Sequence, residues 1–300
     1  MGRAPPARVH RQRRAVSQVG SSTPVRPAAV AGSFYPGDAD ELTAAVDTLL
    51  EQARLRASEG AAVLAQVAPV ALVAPHAGYI YSGPVAASAY RCLRDRPVHR
   101  IAVLGPAHYV PLTGIAVPAV AAFATPIGEV PVEVDTCATL AERHECITVD
   151  DYPHLPEHSI EVQLPFLQRV LPDGWTCVPL VVGATAPEQV ADVLDTLCID
   201  GDMLPVVSTD LSHYLDQVTA ERRDRHTAQA VIDRDAAAIG LHDACGAFAL
   251  RGLLHWAGRH ELDVRLLHKS TSADAGGDPK RVVGYAAFTL LPPTGSASGL

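Results

Sequence analysis

The feature that most constrains this chain is a set of short, nearly continuous apolar runs with no polar alternation. They are "PVALVA" (69–74), "RIAVLG" (100–105), "TCVPLVVG" (176–183), "LPVVST" (204–209) and "RVVGYAAFTLL" (281–291). A strand with one wet face alternates apolar and polar residues. Runs this uniform read as strands covered on both faces, the pattern of largely parallel sheets. Helical patterns fill the gaps. "DADELTAAVDTLLEQARLRA" follows Pro36–Gly37, offers Asp38 or Asp40 as a cap, and sets Leu42, Val46, Leu49 and Leu50 on one face. "PVAASAYRCLRD" places Pro84 at a first-turn position. "HSIEVQLPFLQRVL", "PEQVADVLDTLC", "TAERRDRHTAQAVIDRDAAAI" and "GAFALRGLLHWAG" complete the series. Strands alternating with helices predict an α/β fold, a mixed sheet sandwiched by helices. No linker cuts the chain, so one domain is expected over residues 26–291, between an Arg-rich disordered tail (1–25) and a loose Pro/Gly/Ser tail (292–300).

Charge and cysteine usage exclude several classes of function. The net charge is −9, but the first 14 residues hold five arginines and no acid, so the body is more acidic than the total implies. An acidic body argues against a nucleic-acid surface. The tail lacks the apolar stretch that a secretory signal needs after Arg13–Arg14, and no run approaches the length of a membrane span. Six cysteines occur without a C-x-x-C pair, which points to reduced thiols and a cytoplasmic location rather than a disulfide framework.

Ligands in open α/β sheets collect at the carboxyl ends of the strands. Three predicted strand ends carry chemistry there. The run 69–74 leads to His76 in "PHAGY", the run 100–105 to His108 in "GPAHY", and the run 204–209 to Asp210 and His213 in "STDLSHY". Two imidazoles and one anionic ligand make a common divalent-metal site with positions left open for substrate. Spacing alone leaves the third ligand open among Asp210, His213, Glu157, His158 and Cys245. Glu157 and His158 also read as a helix start, an acid near the positive end of the dipole. No G-x-S-x-G elbow supports a hydrolase built on Ser159. Cys245 stands before Gly246 at a predicted helix start, where a thiolate is favoured, although an inert buried thiol is the ordinary alternative.

Five motifs in order, "AVAGSFYPGDADEL", "APHAGYIYSG", "GPAHYVPL", "EHSIEVQLPFL" and "VVSTDLSHY", resemble the MEMO family. The resemblance runs from about residue 26 to residue 291. It implies a fold like that of class III extradiol dioxygenases, in which two histidines and a glutamate hold Fe(II). In the MEMO family the matching pocket has two histidines and a cysteine, which fall on His76, His108 and Cys245. The resemblance also places Asp210, His213, Glu157 and His158 around the pocket as acid–base groups. Phe34, Tyr35 and Tyr79 become candidates to hold a substrate; Phe34–Tyr35 stands where eukaryotic members have Trp-Tyr. Cys245–Gly246 is followed by Ala247–Phe248–Ala249 where eukaryotic members have Arg-His-Pro.

Two functions follow as expectations. One is a non-haem metal redox protein using Fe(II) or copper, with zinc as an alternative because a thiolate is softer than a carboxylate. The other is a binding or accessory protein without turnover, taking a small-molecule or peptide ligand and working with AMMECR-like and radical SAM partners.

Overall fold

The computed structural model of the protein describes residues 24–56 and 67–293. Strands β1 to β12 are Val25–Arg26, Ala71–Ala74, Arg100–Pro106, Ile115–Val117, Ala122–Thr125, Gly128–Pro131, Ile147–Val149, Thr176–Val182, Met203–Ser208, His213–Leu215, Asp263–Thr271 and Val282–Leu291. Nine of them form one mixed sheet in the order β10-β12-β2-β9-β3-β8-β4-β7, with β11 also paired to β12. The centre, β2-β9-β3-β8, is parallel. These are the strands whose apolar runs showed no alternation, and their residues are buried almost throughout. A small second sheet pairs β1 with β5 and β5 with β6.

Helices flank the large sheet as expected for an α/β domain. Ala39–Arg56, Tyr79–Tyr90 and Leu164–Val170 pack together, as do Pro187–Leu197 and Ala247–Arg259. The first helix starts where Asp38 Oδ1 accepts the N–H groups of Asp40 and Glu41, and it buries Leu42, Val46, Leu50 and Ala53. One expectation is corrected. The second helix begins at Tyr79, not at Pro84, which falls inside it. Proline there removes one helix bond, to Ile80, whose side chain is exposed, so the early start is tolerated. The stretch 158–171 is also shorter as a helix than its pattern predicts: a 3₁₀ turn Glu161–Gln163 leads into Leu164–Val170, with Pro165 in the first turn.

No helix among the described residues is long and apolar enough to cross a membrane. All six cysteines are free thiols. The tails assigned to 1–25 and 292–300 lie outside the described residues except at their inner ends. Those inner ends matter, because Val25 and Arg26 pair in parallel with Ala122 and Phe123. A chain beginning at Pro24 is expected to keep the full-length melting temperature within about 2 °C, measured by circular dichroism. A larger loss would show that residues before Pro24 carry stability.

Candidate functional site

Sheet register brings the strand ends together. Ala74 of β2 pairs with Ser208 of β9, so His76 and Asp210 stand side by side two residues further on. Leu104 of β3 pairs with Val207, which carries His108 to the same edge. The sequence-level reason is that each parallel strand stops at a Pro or Gly or Thr-Asp break. Two close approaches then allow the loops to meet. A Cβ on Gly105 would fall 2.3 Å from Ser159 Oγ, and one on Gly246 would fall 2.8 Å from the Thr209 Cβ and 2.9 Å from the Ser208 carbonyl oxygen. Glycine admits Ser159 and the Cys245 loop respectively.

The edge opens into a cavity of about 750 Å³ lined by Phe34, His76, His108, His158, Asp210, His213 and Cys245, among others. His76, His108 and His158 form a group whose donor atoms all lie within 4.8 Å of one another. His108 stacks on His158 at 4.7 Å between ring centroids, and His76 stands edge-on to both. Glu157 orients His108: Oε2 accepts the backbone N–H at 2.7 Å and Oε1 accepts Nδ1–H at 2.9 Å. That leaves the Nε2 lone pair of His108 free. Burial opposes ionisation of Glu157, but the His108 ring bond and charge, with the N–H groups of His108 and Ser159, overcome it and hold the carboxyl at about 2. Glu157 is therefore a pinned anion, not a helix cap.

Burial keeps the other two imidazoles neutral. His76 is pushed well below the ordinary histidine range, first by burial and then by the charge of His108. His158 is lowered to about 4 by burial and then by His76. Neutral imidazoles crowded together offer lone pairs, the state a metal requires. The donor set therefore fits a divalent ion.

Cys245 flanks the group. Its Sγ lies 3.2 Å from His76 Nε2, accepts the Asp210 N–H at 3.2 Å, and stands 3.7 Å from Thr209 Oγ1. Burial, followed by the charge of Asp210, pushes this thiol upward. The helix starts two residues later, at Ala247, and does not outweigh burial. Asp210 Oδ1 accepts the His76 N–H at 2.8 Å, and burial raises its carboxyl. His213 donates Nδ1–H to the Leu211 carbonyl, which leaves its Nε2 as a base.

The aromatic candidates divide. Phe34 lines the cavity with its ring 4.8 Å from that of His158. Tyr35 and Tyr79 are buried behind it; Tyr35 donates to Glu161 and Tyr79 to the Val162 carbonyl. Arg223, Leu241 and His242 also line the cavity. They carry no sequence signal, since they lie in a charged helix and a loop that no apolar run points to.

The Memo-like protein family model matches residues 26–289. This chain belongs to the Memo-like family. It is similar to a MEMO1 family protein of Thermotoga neapolitana, 34% identical over 283 residues that cover 89% of this chain and 99% of the relative. It is also similar to the MEMO1 family protein TV1383 of Thermoplasma volcanium, 30% identical over 274 residues, covering 88% and 97% of the two chains. Among solved structures, the crystal structure of the uncharacterized protein JW3007 from Escherichia coli K12 aligns with a TM-score of 0.47 at 13% identity, over 73% of this chain and 98% of that one.

Proposed function

We propose that this Memo-like protein binds one divalent ion, iron(II) or copper with zinc as an alternative, through His76, His108 and Cys245. A small molecule or peptide side chain would enter the cavity beside it. The observation that carries a metal site is the group of His76, His108 and His158, whose donor atoms lie within 4.8 Å of one another. Cys245 is favoured as the third ligand because its sulfur already accepts an N–H and lies 3.2 Å from His76 Nε2. An iron or copper ion there would supply redox chemistry that the side chains lack. Glu157 orients His108, and Asp210 fixes the backbone of His76. His213, with its Nδ1–H taken by the Leu211 carbonyl, presents Nε2 to the cavity as the group to move a proton from a bound ligand, and His158 shares the cavity wall with it. Phe34 forms an apolar wall against a substrate ring.

A second reading, a docking pocket without turnover, is favoured by the exposed Tyr109, Tyr214 and Leu241 near the cavity. The AMMECR-like and radical SAM proteins implied by the resemblance are its partners of interest.

The choice of third ligand has a pH signature. A thiol that burial raises must release its proton when the ion binds. His76 and His158, lowered by burial, are already neutral and release none. With Cys245 as ligand, Zn²⁺ affinity is expected to rise about tenfold per unit between about pH 6 and 8. In Cys245→Ala the dependence should flatten. A wild-type affinity already nearly constant over this window, and the same in Cys245→Ala, moves the third position to His158, which has no proton to release there.

A further inference from the structure

Against His76, which lines the cavity, lies a buried polar chain that takes no part in the ligand set. Ser208, the last residue of β9, is fully buried, as are Gln163, Ser159 and Tyr90. Ser208 Oγ has three polar neighbours: the Ser159 carbonyl oxygen at 2.6 Å, Gln163 Nε2 at 2.8 Å and His76 Nδ1 at 2.8 Å. A hydroxyl has one hydrogen and two lone pairs. Carbonyl oxygens only accept, so the Ser208 hydrogen goes to Ser159.

The Gln163 amide is oriented by its other contacts. Nε2 lies 3.0 Å from the Pro75 carbonyl, again an acceptor only, and Oε1 accepts the Tyr90 hydroxyl at 2.7 Å. Gln163 thus presents an N–H to Ser208 and occupies one lone pair. What remains on Ser208 is a single lone pair facing His76 Nδ1. Every donor hydrogen in the chain then has an acceptor, as a fully buried polar network requires.

We propose that Ser208 and Gln163 are positioning residues that fix His76 as its Nδ1–H tautomer, with the Nε2 lone pair aimed at the metal position. This rests on the metal reading above only for its consequence, not for the tautomer itself. Free neutral imidazole in a histidine prefers the opposite tautomer, which would point an N–H at the ion. The network removes that competing state before any ion arrives. His108 reaches the same tautomer by a different route, through the Glu157 carboxylate.

The test uses full-length, metal-free protein with ¹⁵N-labelled histidine at neutral pH. Long-range ¹H–¹⁵N correlation spectra distinguish a protonated ring nitrogen from a bare one. In the wild type, His76 is expected to show Nδ1 protonated and Nε2 bare, a result that needs no variant. In Ser208→Ala, His76 should shift toward Nε2–H or averaged signals, while His108 keeps its pattern. Zn²⁺ titrated alone should bind Ser208→Ala about 10–100-fold more weakly than wild type. A purely structural Ser208 would alter stability and leave the ring signals in place. The proposal is overturned if wild-type His76 carries Nε2–H, or if Ser208→Ala retains both the tautomer and the affinity. A wild-type chain that shows Nδ1–H but takes up no Zn²⁺ overturns the metal reading and supports the network.

Discussion

Alanine at His76 or at His108 is expected to empty the proposed metal centre. Each substitution removes one of two imidazoles that the sheet delivers to the same edge. His76 is held by Asp210 and Ser208, and His108 by both oxygens of Glu157. Loss of one ligand from a three-ligand site removes a bond and the geometry of the other two. An affinity loss of at least about 100-fold, or about 2.8 kcal/mol, is expected. Metal content per chain, measured on protein purified without air and again after Zn²⁺ titration, reads the effect. Cys92→Ala and Cys177→Ala are controls. Cys177 lies fully buried in β8 and Cys92 in the 3₁₀ turn Arg91–Leu93 that follows the helix Tyr79–Tyr90, so both should retain wild-type occupancy. Full occupancy in either histidine variant would refute the site.

Arg26→Ala is expected to produce the largest loss of stability. The guanidinium is about 1% exposed and pairs with the equally buried Glu161 at 2.5 Å. It also donates to the carbonyls of His154 and Glu157 at 2.7 and 2.5 Å, and lies over the Phe123 ring at 4.9 Å. Removing one partner of a buried pair strands the other charge, which typically costs about 3–5 kcal/mol. Replacing both partners by apolar residues would not rescue the fold here. Glu161 also accepts the N–H groups of Ala29 and Val30 and the hydroxyl of Tyr35, and all three donors would be orphaned. Because Arg26 binds the loop that carries Glu157 and His158, the variant should lose metal affinity as well. Urea denaturation gives the stability term. A change below about 1 kcal/mol, the range of an exposed pair, would mean the clamp is not as tight as drawn.

The central strands were legible because burial on both faces leaves a plain mark, an apolar run ended by Gly, Pro or Thr-Asp. All five runs became strands, with ends displaced by one or two residues. His76, His108 and Asp210 followed from that mark and the strand-end rule. The remaining strands were not legible. β4 and β7 are three residues each, too short for a period, and β11 mixes charged and apolar residues because much of it is half exposed. Pro84 misled because a proline near a helix start is usually the start, and local preference cannot reveal that Tyr79 N–H is taken by the Phe34 carbonyl. Gln163 and Ser208 were silent for a deeper reason. A polar residue inside an apolar pattern reads as an interruption until its partners, 45 positions apart in sequence, are seen to face each other. The same holds for the ring of histidines. His158 is legible in the sequence as one of several candidates for the third ligand, while its stacking on His108 is a property of packing.

The order of the sheet bears on how the protein is made. Its last strand, β12, is inserted between β10 and β2 and pairs directly with β2, one of the first strands in the chain. The sulfur and the imidazole that touch at the centre are separated by 169 positions. During synthesis, β2 therefore emerges long before the strand that covers its edge, and an uncovered edge is a template for wrong pairing. His76 reaches the ribosome exit well ahead of Cys245, so an early ion would meet an incomplete set of donors. For the ion proposed above, the full set of donors would come together only late in synthesis, once the stretch carrying Cys245 has emerged and folded back against β2 and β9.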